Sequence, residues 1–514
     1  MRIQLIPFCS ALLSAMVAAC VPTGTADPAA TPTLLPPVVN ITAQSTAPAL
    51  RTSESKSIQT QIPDTLTAAT TPTVEPYHPQ VLSTHYAHSG DTLAALARRY
   101  RINAELIVRA NLDLPESGFL ATGTPVTIPD IDMSESPPPF LIIPDSELVY
   151  GPGQRYMDLR VTVEAHEQGW LANIMVGNEK LIPGWEVVQE AATTYSVNPR
   201  LLLALIEYQS GLVTGDTNSE EIAKYPMNVQ KWKYAKLPNQ LVWAAEHLNA
   251  GYYGWRHGNF SELMLADGKT YQLDPRLNAG TVAVYSFFSP LYSAALFEEI
   301  ISAGGFDATY QQLFGNQFDY EVAVIEPGIT QPELELPFEP GVGWYFTGGP
   351  HNGWRDSAPW AAIDFAPPLA TPGCSESTDW VTAPSNGIIT RIGPGLLAQT
   401  VGEGDTELAG WTLVYAHLRT DTFMLRVGQR VQAGERLGRP SCDGGLEATG
   451  THLHLARKYN GEWISAGGPL AFVLSGWETV SEHHAYQGKL VERSSGRGIT
   501  ACACENNNQI SRPR

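Results

Sequence analysis

Apolar side chains recur along this chain with two different periods, and the period changes from one region to the next. Over residues 93–100, 187–195 and 199–208 they return every three or four positions, which predicts amphipathic helices. Pro199 stands where the first turn of a helix tolerates proline. The region 138–326 is therefore predicted to be a mostly helical domain.

The last third of the chain carries short apolar runs between glycine- and proline-rich turns. Residues 387–392, 411–417 and 451–456 are rich in Val, Ile, Leu and Thr, which predicts strands. We therefore expect an all-β domain with an antiparallel sheet over residues 341–480. The Pro- and Glu-rich stretch 327–340 is predicted to be a linker. The polar segment 481–514 is predicted to be an irregular C-terminal tail.

The N-terminus has the pattern of an export signal. Arg2 precedes an apolar run that ends at Ala19, too short for a spanning helix, so residues 1–19 are predicted to be a signal peptide. The small residues before Cys20 resemble a bacterial lipobox, which implies lipidation of Cys20. A plain secretory signal with an incidental cysteine is the alternative. Residues 20–82 are rich in Thr, Pro and Ala and are predicted to be a disordered tether.

Length and charge limit the classes of function. With 514 residues the chain is long enough for three or four domains. Its formal net charge of -20 argues against nucleic-acid binding and against electrostatic adhesion to anionic lipid. A membrane contact is therefore expected only through the lipid anchor.

Residues 83–130 carry four short motifs in a fixed order. These are Gly-Asp-Thr-Leu at 90–93, Ala-Arg-Arg-Tyr at 97–100, Ala-Asn at 110–111 and Gly-Thr-Pro-Val-Thr-Ile-Pro at 123–129. Together they resemble the LysM module, which implies a small β-α-α-β fold that binds N-acetylglucosamine-containing glycans such as peptidoglycan. The groove implied by this resemblance is lined by Gly90, Asp91, Thr92, Leu93, Ala110 and Asn111. A LysM-like fold that only spaces the domains is the alternative.

The helical region resembles lysozyme-like lytic transglycosylases around residues 191–211. That family has its catalytic acid immediately before Ser-Gly, and this chain has Gln209 there. Glutamine cannot donate a proton as a carboxylic acid does, so we expect a non-catalytic domain. Residual muramidase activity through Glu207 is a minority hypothesis. The aromatic residues Tyr252, Tyr253 and Trp255 are expected mainly in the core.

The β region carries one carboxylate and four histidines in recurring contexts. They are Pro-His351-Asn-Gly, Ile-Asp364-Phe-Ala, Tyr-Ala-His417-Leu and Gly-Thr-His452-Leu-His454. On a strand, residues at i and i+2 point to the same face, so the last two imidazoles lie side by side. This ordered set resembles the lysostaphin/LytM type of zinc endopeptidase.

The resemblance implies a role for each residue of this set. His351, Asp364 and His454 would bind Zn²⁺ and leave a fourth position open, as catalytic zinc sites do. His452 and His417 would flank the reacting water. One of them would act as general base and the other would stabilise the oxyanion.

Two points within this site stay open. Twelve residues separate His351 from Asp364, where the family usually has a short spacer, so Asp356 is a rival ligand. Asp364 is preferred because Ile-Asp-Phe-Ala is the strand pattern that the family shows around its ligand. Tyr345, just upstream of the first histidine, is a weaker candidate for oxyanion support.

Cysteine usage agrees with export. Apart from Cys9 and Cys20, the chain has four cysteines, Cys374, Cys442, Cys502 and Cys504. Four cysteines can pair in three ways. A Cys374–Cys442 disulfide is favoured because both residues lie near the implied zinc site. Their use as zinc ligands is less favoured, since neither belongs to a Cys-x-x-Cys pair. The last two cysteines could pair with each other or stay free.

These observations predict a zinc endopeptidase that hydrolyses peptide bonds of peptidoglycan stem peptides or cross-bridges. The chain would be exported and lipid-anchored at the outer face of the bacterial membrane, where it reaches the cell wall. One alternative is a non-catalytic regulator of another wall hydrolase. Another is a peptidoglycan-binding lipoprotein whose LysM and helical domains carry the function.

Overall fold

The computed structural model describes residues 81–177, 181–356, 359–368, 373–504 and 507–513. The predicted signal peptide, the lipidation site Cys20 and nearly all of the predicted tether lie outside these residues. Within them, no helix combines the length and the apolar character needed to cross a membrane.

The first described region has the predicted β-α-α-β fold. Its elements are β1 (Leu82–Tyr86), α1 (Leu93–Tyr100), α2 (Ala104–Ala110) and β2 (Pro125–Pro129), and the two strands pair antiparallel. The side chain of Thr92 caps α1 by accepting from the Ala95 amide, and Asn103 caps α2 in the same way. A small core of its own, which includes Leu96, Ile107 and Val126, holds the helices on the ribbon.

The middle region is mainly helical, as predicted. Helix α8 is its longest element and contacts both α5 and α9. The two ribbons β3–β4 and β5–β6 are short. Bounds are α3 (Leu159–Glu164), α4 (Trp170–Asn173), β3 (Met175–Val176), β4 (Ile182–Pro183), α5 (Gly184–Tyr195), α6 (Pro199–Ser210), α7 (Glu220–Lys224), α8 (Leu237–Arg256), β5 (Glu262–Met264), β6 (Thr270–Gln272), α9 (Ala279–Phe288), α10 (Ala294–Ile300) and α11 (Phe306–Phe314), with 3₁₀ turns at Asp145–Glu147, Pro152–Gln154, Trp232–Tyr234 and Gln317–Tyr320.

The last region is β-rich and antiparallel, which confirms the predicted fold class and the three predicted strands. Bounds are β7 (Gly343–His351), β8 (Ala362–Ala366), β9 (Val381–Thr382), β10 (Gly387–Gly393), β11 (Leu396–Val401), β12 (Trp411–Ala416), β13 (Arg430–Val431), β14 (Arg436–Gly438), β15 (Leu453–Tyr459), β16 (Glu462–Trp463), β17 (Val473–Leu474), β18 (Trp477–Ser481), β19 (Gly488–Glu492), β20 (Gly498–Thr500) and β21 (Gln509–Ser511), with a 3₁₀ turn at Thr420–Thr422. The main sheet runs β13-β10-β11-β12-β15-β8-β7-β21, and β16 pairs with β15. Strands β17-β18-β19-β20 form a second sheet, and β9 pairs with β14.

Both faces of the main sheet are buried. Along β12, Leu413 and Tyr415 join a core that the second sheet completes, whereas Val414 and Ala416 join the core of the helical region. Ala456 on the neighbouring β15 lies on this helical side as well. Small side chains on that side let the helices approach the sheet closely, so the two regions share one continuous core.

The prediction of an irregular C-terminal tail is wrong. Strands β19, β20 and β21 all lie in this segment, and β21 pairs with the edge strand β7. Leu490, Ile499 and Ile510 are buried in the core of the β region. Each strand has only a few apolar positions among polar neighbours, so the alternation was too short to stand out in the sequence.

The Pro- and Glu-rich segment 327–340 lies along the β region. Leu334, Leu336 and Phe338 are buried in its core. The Thr382 amide donates to the Pro337 carbonyl at 2.9 Å. This connection is therefore held against the strands over much of its length.

Candidate metal centre

Three neighbouring strands bring the predicted ligands together. His351 ends β7, Asp364 lies in β8 and His454 lies in β15, in the strand order β15-β8-β7. Asp364 stands opposite His454 on one side and opposite Gly348 on the other. A Cβ atom at Gly348 would lie 2.5 Å from Asp364 Oδ2, so the close approach of this carboxylate requires glycine there.

The ligand atoms of these residues converge on one point. Asp364 Oδ1 lies 3.2 Å from His351 Nε2 and 3.3 Å from His454 Nδ1. The two ring nitrogens are 3.0 Å apart. All three residues are buried, and they form a group that could hold a metal ion.

Backbone carbonyls fix the orientation of both imidazoles. His351 Nδ1 donates to the Gly349 carbonyl at 2.8 Å, and His454 Nε2 donates to the Gly353 carbonyl at 3.1 Å. Because the outer nitrogens carry the protons, the inner nitrogens present lone pairs toward Asp364. Such carbonyl contacts orient the histidine ligands of metal sites in proteins generally.

The electrostatics of the cluster favour a cation between these atoms. Burial alone would raise the pKa of Asp364, but the facing histidines outweigh it and hold the pKa well below its usual range. Burial would lower the pKa of His351, yet the Asp364 carboxylate reverses this and the net direction is upward. Burial lowers the pKa of His454.

The donor set fits Zn²⁺. Within the described residues, the buried Asp364 Oδ1 finds no hydrogen-bond donor, which is costly unless a cation meets it. Two imidazole nitrogens and one carboxylate oxygen are a common ligand set of catalytic zinc, which keeps a fourth position open. The rival Asp356 is exposed and lies outside this group.

The other two histidines lie beside the cluster. His452 Nδ1 donates to the Gly450 carbonyl at 2.8 Å, and His417 Nδ1 donates to the Asp443 carbonyl at 2.8 Å. Their ring centroids are 4.4 Å apart, and His452 Nε2 lies 3.8 Å from Asp364 Oδ2. Burial lowers the pKa of His417 to about 4, and the adjacent His452 and His454 act in the same direction. His417 is thus neutral near pH 7, with the lone pair of Nε2 available.

Tyr486 is a site residue that the sequence analysis missed. Its ring stacks on His351, with centroids 4.1 Å apart and an interplanar angle of 17°. Its backbone pairs with β7, since the Gly349 amide donates to the Tyr486 carbonyl at 2.9 Å and the Tyr486 amide donates to the Pro350 carbonyl at 3.0 Å. The residue lies in a polar loop between β18 and β19, inside the segment predicted as a tail, and no local motif marks it.

A cavity of about 840 Å³ opens over the cluster. Tyr345 and Tyr486 line it together with the histidines, and Glu246 of α8 contributes to its wall from the helical region. Arg355 and Asp356 lie in the same wall. A peptide-sized ligand therefore meets both the sheet and the helical region.

The cysteines form two disulfides. The predicted Cys374–Cys442 disulfide is confirmed, and Cys502 pairs with Cys504. Thr451, just before His452, donates its amide proton to the Gly373 carbonyl at 3.0 Å. The first disulfide thus fixes the segment that leads through His452 into β15, which carries His454.

Several side chains of the implied glycan groove are buried or bonded to other residues of the protein. Asp91 pairs with Arg99 at 2.5 Å, and Leu93 is buried in the core of the module. Thr92 caps α1, and Asn111 bonds to both backbone groups of Thr127. Ala110, at the end of α2, is half-buried.

The turn that contains Gly90 is also covered by the rest of the chain. The guanidinium of Arg256, at the end of α8, lies so close that a Cβ atom at Gly90 would be 1.8 Å from it. The Ile325 amide donates to the Ser89 hydroxyl at 3.1 Å, and His88 Nε2 donates to the Arg276 carbonyl at 3.1 Å. This end of the implied groove is therefore closed in the structure.

Glu207, the acidic residue near Gln209 in the helical region, is hydrogen-bonded within the protein. Glu207 accepts from the Val213 and Thr214 amides, both at 3.0 Å, and from the Thr214 hydroxyl at 2.6 Å. Gln209 accepts from the Tyr292 hydroxyl at 2.5 Å. Glu207 thus holds the turn after α6, and its carboxylate is occupied. The aromatic residues Tyr252, Tyr253 and Trp255 are buried in the core, as predicted.

Comparison with protein families identifies three segments of the chain. Residues 88–129 match the LysM domain, residues 141–326 match the LasA N-terminal domain and residues 359–466 match peptidase family M23. The chain thus contains a LysM domain and an M23 peptidase domain. The family matched by the helical region differs from the lytic transglycosylases that its local motif resembles.

Among curated proteins, Protease LasA of Pseudomonas aeruginosa (strain UCBPP-PA14) is 23% identical over 305 residues, which are 55% of this chain and 68% of the relative. Among solved structures, the M23 metalloprotease pseudoalterin from the deep sea is 25% identical, with a TM-score of 0.28, over 34% of this chain and 96% of its own. The catalytic domain of the antimicrobial peptidase lysostaphin from Staphylococcus simulans is 22% identical, with a TM-score of 0.17, over 25% of this chain and 89% of its own.

Proposed function

From a chain that carries an M23 peptidase domain and a LysM domain, we propose a zinc endopeptidase that hydrolyses peptide bonds in peptidoglycan stem peptides or cross-bridges. The observation that carries the proposal is the buried convergence of His351, Asp364 and His454 below an open cavity. The intact ligand set favours an enzyme over a non-catalytic regulator or wall-binding protein.

In this proposal, His351 Nε2, Asp364 Oδ1 and His454 Nδ1 hold the zinc ion. When bound, Zn²⁺ lowers the pKa of a bound water to near neutrality and polarises the scissile carbonyl. Of the ring nitrogens of His452 and His417 that face the cavity, one would take up the proton of the attacking water and deliver it to the leaving amine, and the other would stabilise the oxyanion. Their outer nitrogens are fixed by carbonyls, so both rings are oriented before substrate binds.

Two hydroxyls of the cavity wall are candidates to stabilise the developing oxyanion. Tyr486 stacks on His351 and is 58% exposed, which leaves its hydroxyl accessible to substrate. Tyr345 lines the same cavity from β7. An O–H aimed at the position where negative charge develops contributes more in the transition state than in the ground state.

The LysM domain supports peptidoglycan as the substrate, because it would hold glycan strands near the peptidase cavity. Thr92 and Ala110 are the partly exposed residues of the implied groove. In this proposal glycan contacts the groove on their side. Lipidation of Cys20 would anchor the protein at the outer face of the cell membrane. Loss of metabolic fatty-acid labelling in a Cys20→Ala variant tests the anchor.

Digestion of purified peptidoglycan by the chain from residue 21 onward tests the activity. The expected products are soluble fragments with new amine termini in the peptide moiety, identified by mass spectrometry and abolished by zinc chelation and by His454→Ala. If several wall chemotypes release nothing although the protein holds stoichiometric zinc, the non-catalytic wall-binding alternative replaces the proposal. New reducing sugar ends without new amine termini would also overturn it.

A further inference from the structure

The helical region reaches the metal centre through one indole ring. Trp463, in β16, is buried where the sheet meets the helices and belongs to the core of the helical region. Its amide donates to the Tyr253 hydroxyl of α8 at 3.0 Å. Its Nε1 donates to the Tyr195 carbonyl at the end of α5, at 3.3 Å. Two helices thereby fix both the backbone and the ring plane of this residue.

The ring of Trp463 lies directly against Gly353. A Cβ atom at Gly353 would be 2.9 Å from the indole and 2.9 Å from the Ala361 side chain, so this turn fits only because glycine stands there. The Gly353 amide donates to the Pro359 carbonyl at 3.0 Å, which closes the turn. The next residue, Trp354, is only 7% exposed and joins the same helical core. The turn is therefore packed against the indole of Trp463, and the residue that follows Gly353 is buried in the helical core.

The Gly353 carbonyl connects these contacts to the metal centre. It accepts the proton of His454 Nε2 at 3.1 Å and so determines the ring orientation of that imidazole. A displacement of the turn moves this carbonyl, and the Nδ1 lone pair then no longer points at the position it shares with Asp364 Oδ1.

We propose that Trp463 is a positioning residue through which the helical region orients the metal ligand His454. The inference rests on the proposed function in taking His454 as a zinc ligand. The helical region is then a structural part of the metal centre. Replacing a group that hydrogen-bonds to a zinc ligand changes metal affinity by about 10- to 100-fold. For Trp463, which contacts the residue that makes this hydrogen bond, we expect about tenfold.

Two adjacent tyrosines supply a matched pair of variants. Tyr253→Phe removes the hydroxyl that accepts from the Trp463 amide, and Trp463→Phe removes the indole that supports Gly353. Tyr252→Phe is the control, because Tyr252 is equally buried in α8 but donates its hydroxyl proton to Glu462 at 3.1 Å. All variants are made in the chain from residue 21 onward, so that the shared core stays complete.

The readouts are the zinc dissociation constant from chelator competition and the visible absorption spectrum of the Co²⁺-loaded protein, which reports ligand geometry. Circular dichroism of the metal-free protein tests folding. We expect Tyr253→Phe and Trp463→Phe to weaken zinc binding about tenfold and to shift the Co²⁺ bands. Tyr252→Phe is expected to have the zinc dissociation constant and the Co²⁺ spectrum of the wild type.

The possible outcomes separate the two proposals. A wild-type protein that binds neither ion refutes the proposed function itself. A wild type that binds both ions, with unchanged affinity and spectrum in folded Tyr253→Phe and Trp463→Phe, refutes only the positioning role. If Trp463→Phe does not fold, Tyr253→Phe alone decides the matter. Equal weakening in Tyr252→Phe would assign the effect to general loosening of the interface and overturn the inference.

Discussion

The ring of Tyr486 lies parallel to the imidazole of His351, with centroids 4.1 Å apart. These two residues are far apart in the chain and meet because the backbone of the Tyr486 loop pairs with the end of β7. Tyr486 itself adopts a positive φ of 68°, a conformation that a non-glycine residue keeps only when its surroundings impose it. The contact places a phenol at the edge of the candidate metal centre.

Removal of this hydroxyl should slow catalysis without weakening metal binding. We expect Tyr486→Phe to lower kcat by about 100-fold, because one oxyanion donor contributes that much in comparable sites. KM and the zinc content should change little, since the stacking ring remains. Tyr345→Phe is the matched comparison. The larger loss in kcat identifies the oxyanion donor, and unchanged kcat in both variants would exclude these hydroxyls from the reaction.

Metal binding should depend on Asp364 and not on Asp356. We expect His351→Ala, His454→Ala and Asp364→Asn each to weaken zinc binding by at least about 100-fold, because each removes a direct ligand. Asp356→Asn serves as the control, since its carboxylate is exposed and outside the cluster. Zinc titration monitored by mass spectrometry gives the stoichiometry. Loss of zinc in Asp356→Asn with retention in Asp364→Asn would reverse the assignment.

The closed turn of the LysM domain should reduce its affinity for glycan. Arg256 lies on Gly90, and Ser89 is bonded to Ile325. The module has a core of its own, so residues 81–135 should fold as a fragment. We expect this fragment to bind N-acetylglucosamine oligomers about tenfold more tightly than the whole chain does, because the whole chain must first release the turn. Equal dissociation constants by calorimetry would show that the groove is already open.

Glu207 should matter for stability and not for hydrolysis. Its carboxylate accepts three hydrogen bonds from the turn after α6. We expect Glu207→Gln to lower the free energy of unfolding by about 1–2 kcal/mol, as the loss of a charged acceptor does, with the same products from peptidoglycan. Glu164→Gln, which affects an exposed ion pair with Arg160, is the control for charge alone. Release of fewer reducing sugar ends by Glu207→Gln would instead support muramidase activity.

A buried carboxylate should make the protein acid-sensitive. Burial raises the pKa of Glu407, but Arg391 and Lys458, at 2.7 Å and 2.9 Å, outweigh it and lower the pKa from 4.5 to about 2. Because the folded-state pKa is depressed, this contribution is complete above the unfolded pKa and is lost as pH falls from 4.5 to about 2. Linkage gives about 3 kcal/mol over that range.

Urea unfolding at pH 3 and pH 6 measures the effect. The decline in unfolding free energy between these values should be smaller in Glu407→Gln than in the wild type. That variant should also be less stable at pH 6, because it leaves the buried Lys458 and the partly buried Arg391 without their partner. Glu403→Gln, which affects an exposed pair with Arg430, should behave like the wild type. An identical decline in Glu407→Gln would assign the acid sensitivity to other groups.

The structure brings the predicted ligand residues His351, Asp364 and His454 together, and the motifs that mark these residues are local in the sequence. His452 and His454 lie two residues apart at the start of β15, and strand geometry predicted from the sequence that they share a face. The choice of Asp364 over Asp356 followed from the apolar strand pattern around it. The helices at 187–195 and 199–208 were likewise readable from the spacing of their apolar residues.

Contacts between distant segments were not readable in this way. Tyr486 had been placed in a tail, and the strands of that segment are too short to show a clear alternation. Gly353 and Trp463 are about a hundred residues apart, and only the docking of the helical region on the sheet brings them together. The burial of Gly90 under Arg256 depends on a separate contact, in which the LysM domain packs against helix α8.

The amino-acid sequence by itself determined the long helices, the main strands, the candidate ligand residues and the identity of the two recognisable domains, because periodicity and short motifs are encoded in adjacent residues. Only the tertiary structure decided which residues surround the metal centre and which face of the LysM domain is covered. These contacts result from the packing of whole surfaces, in which small residues such as Ala416 and Ala456 let the helices close on the sheet. No single stretch of sequence carries that information.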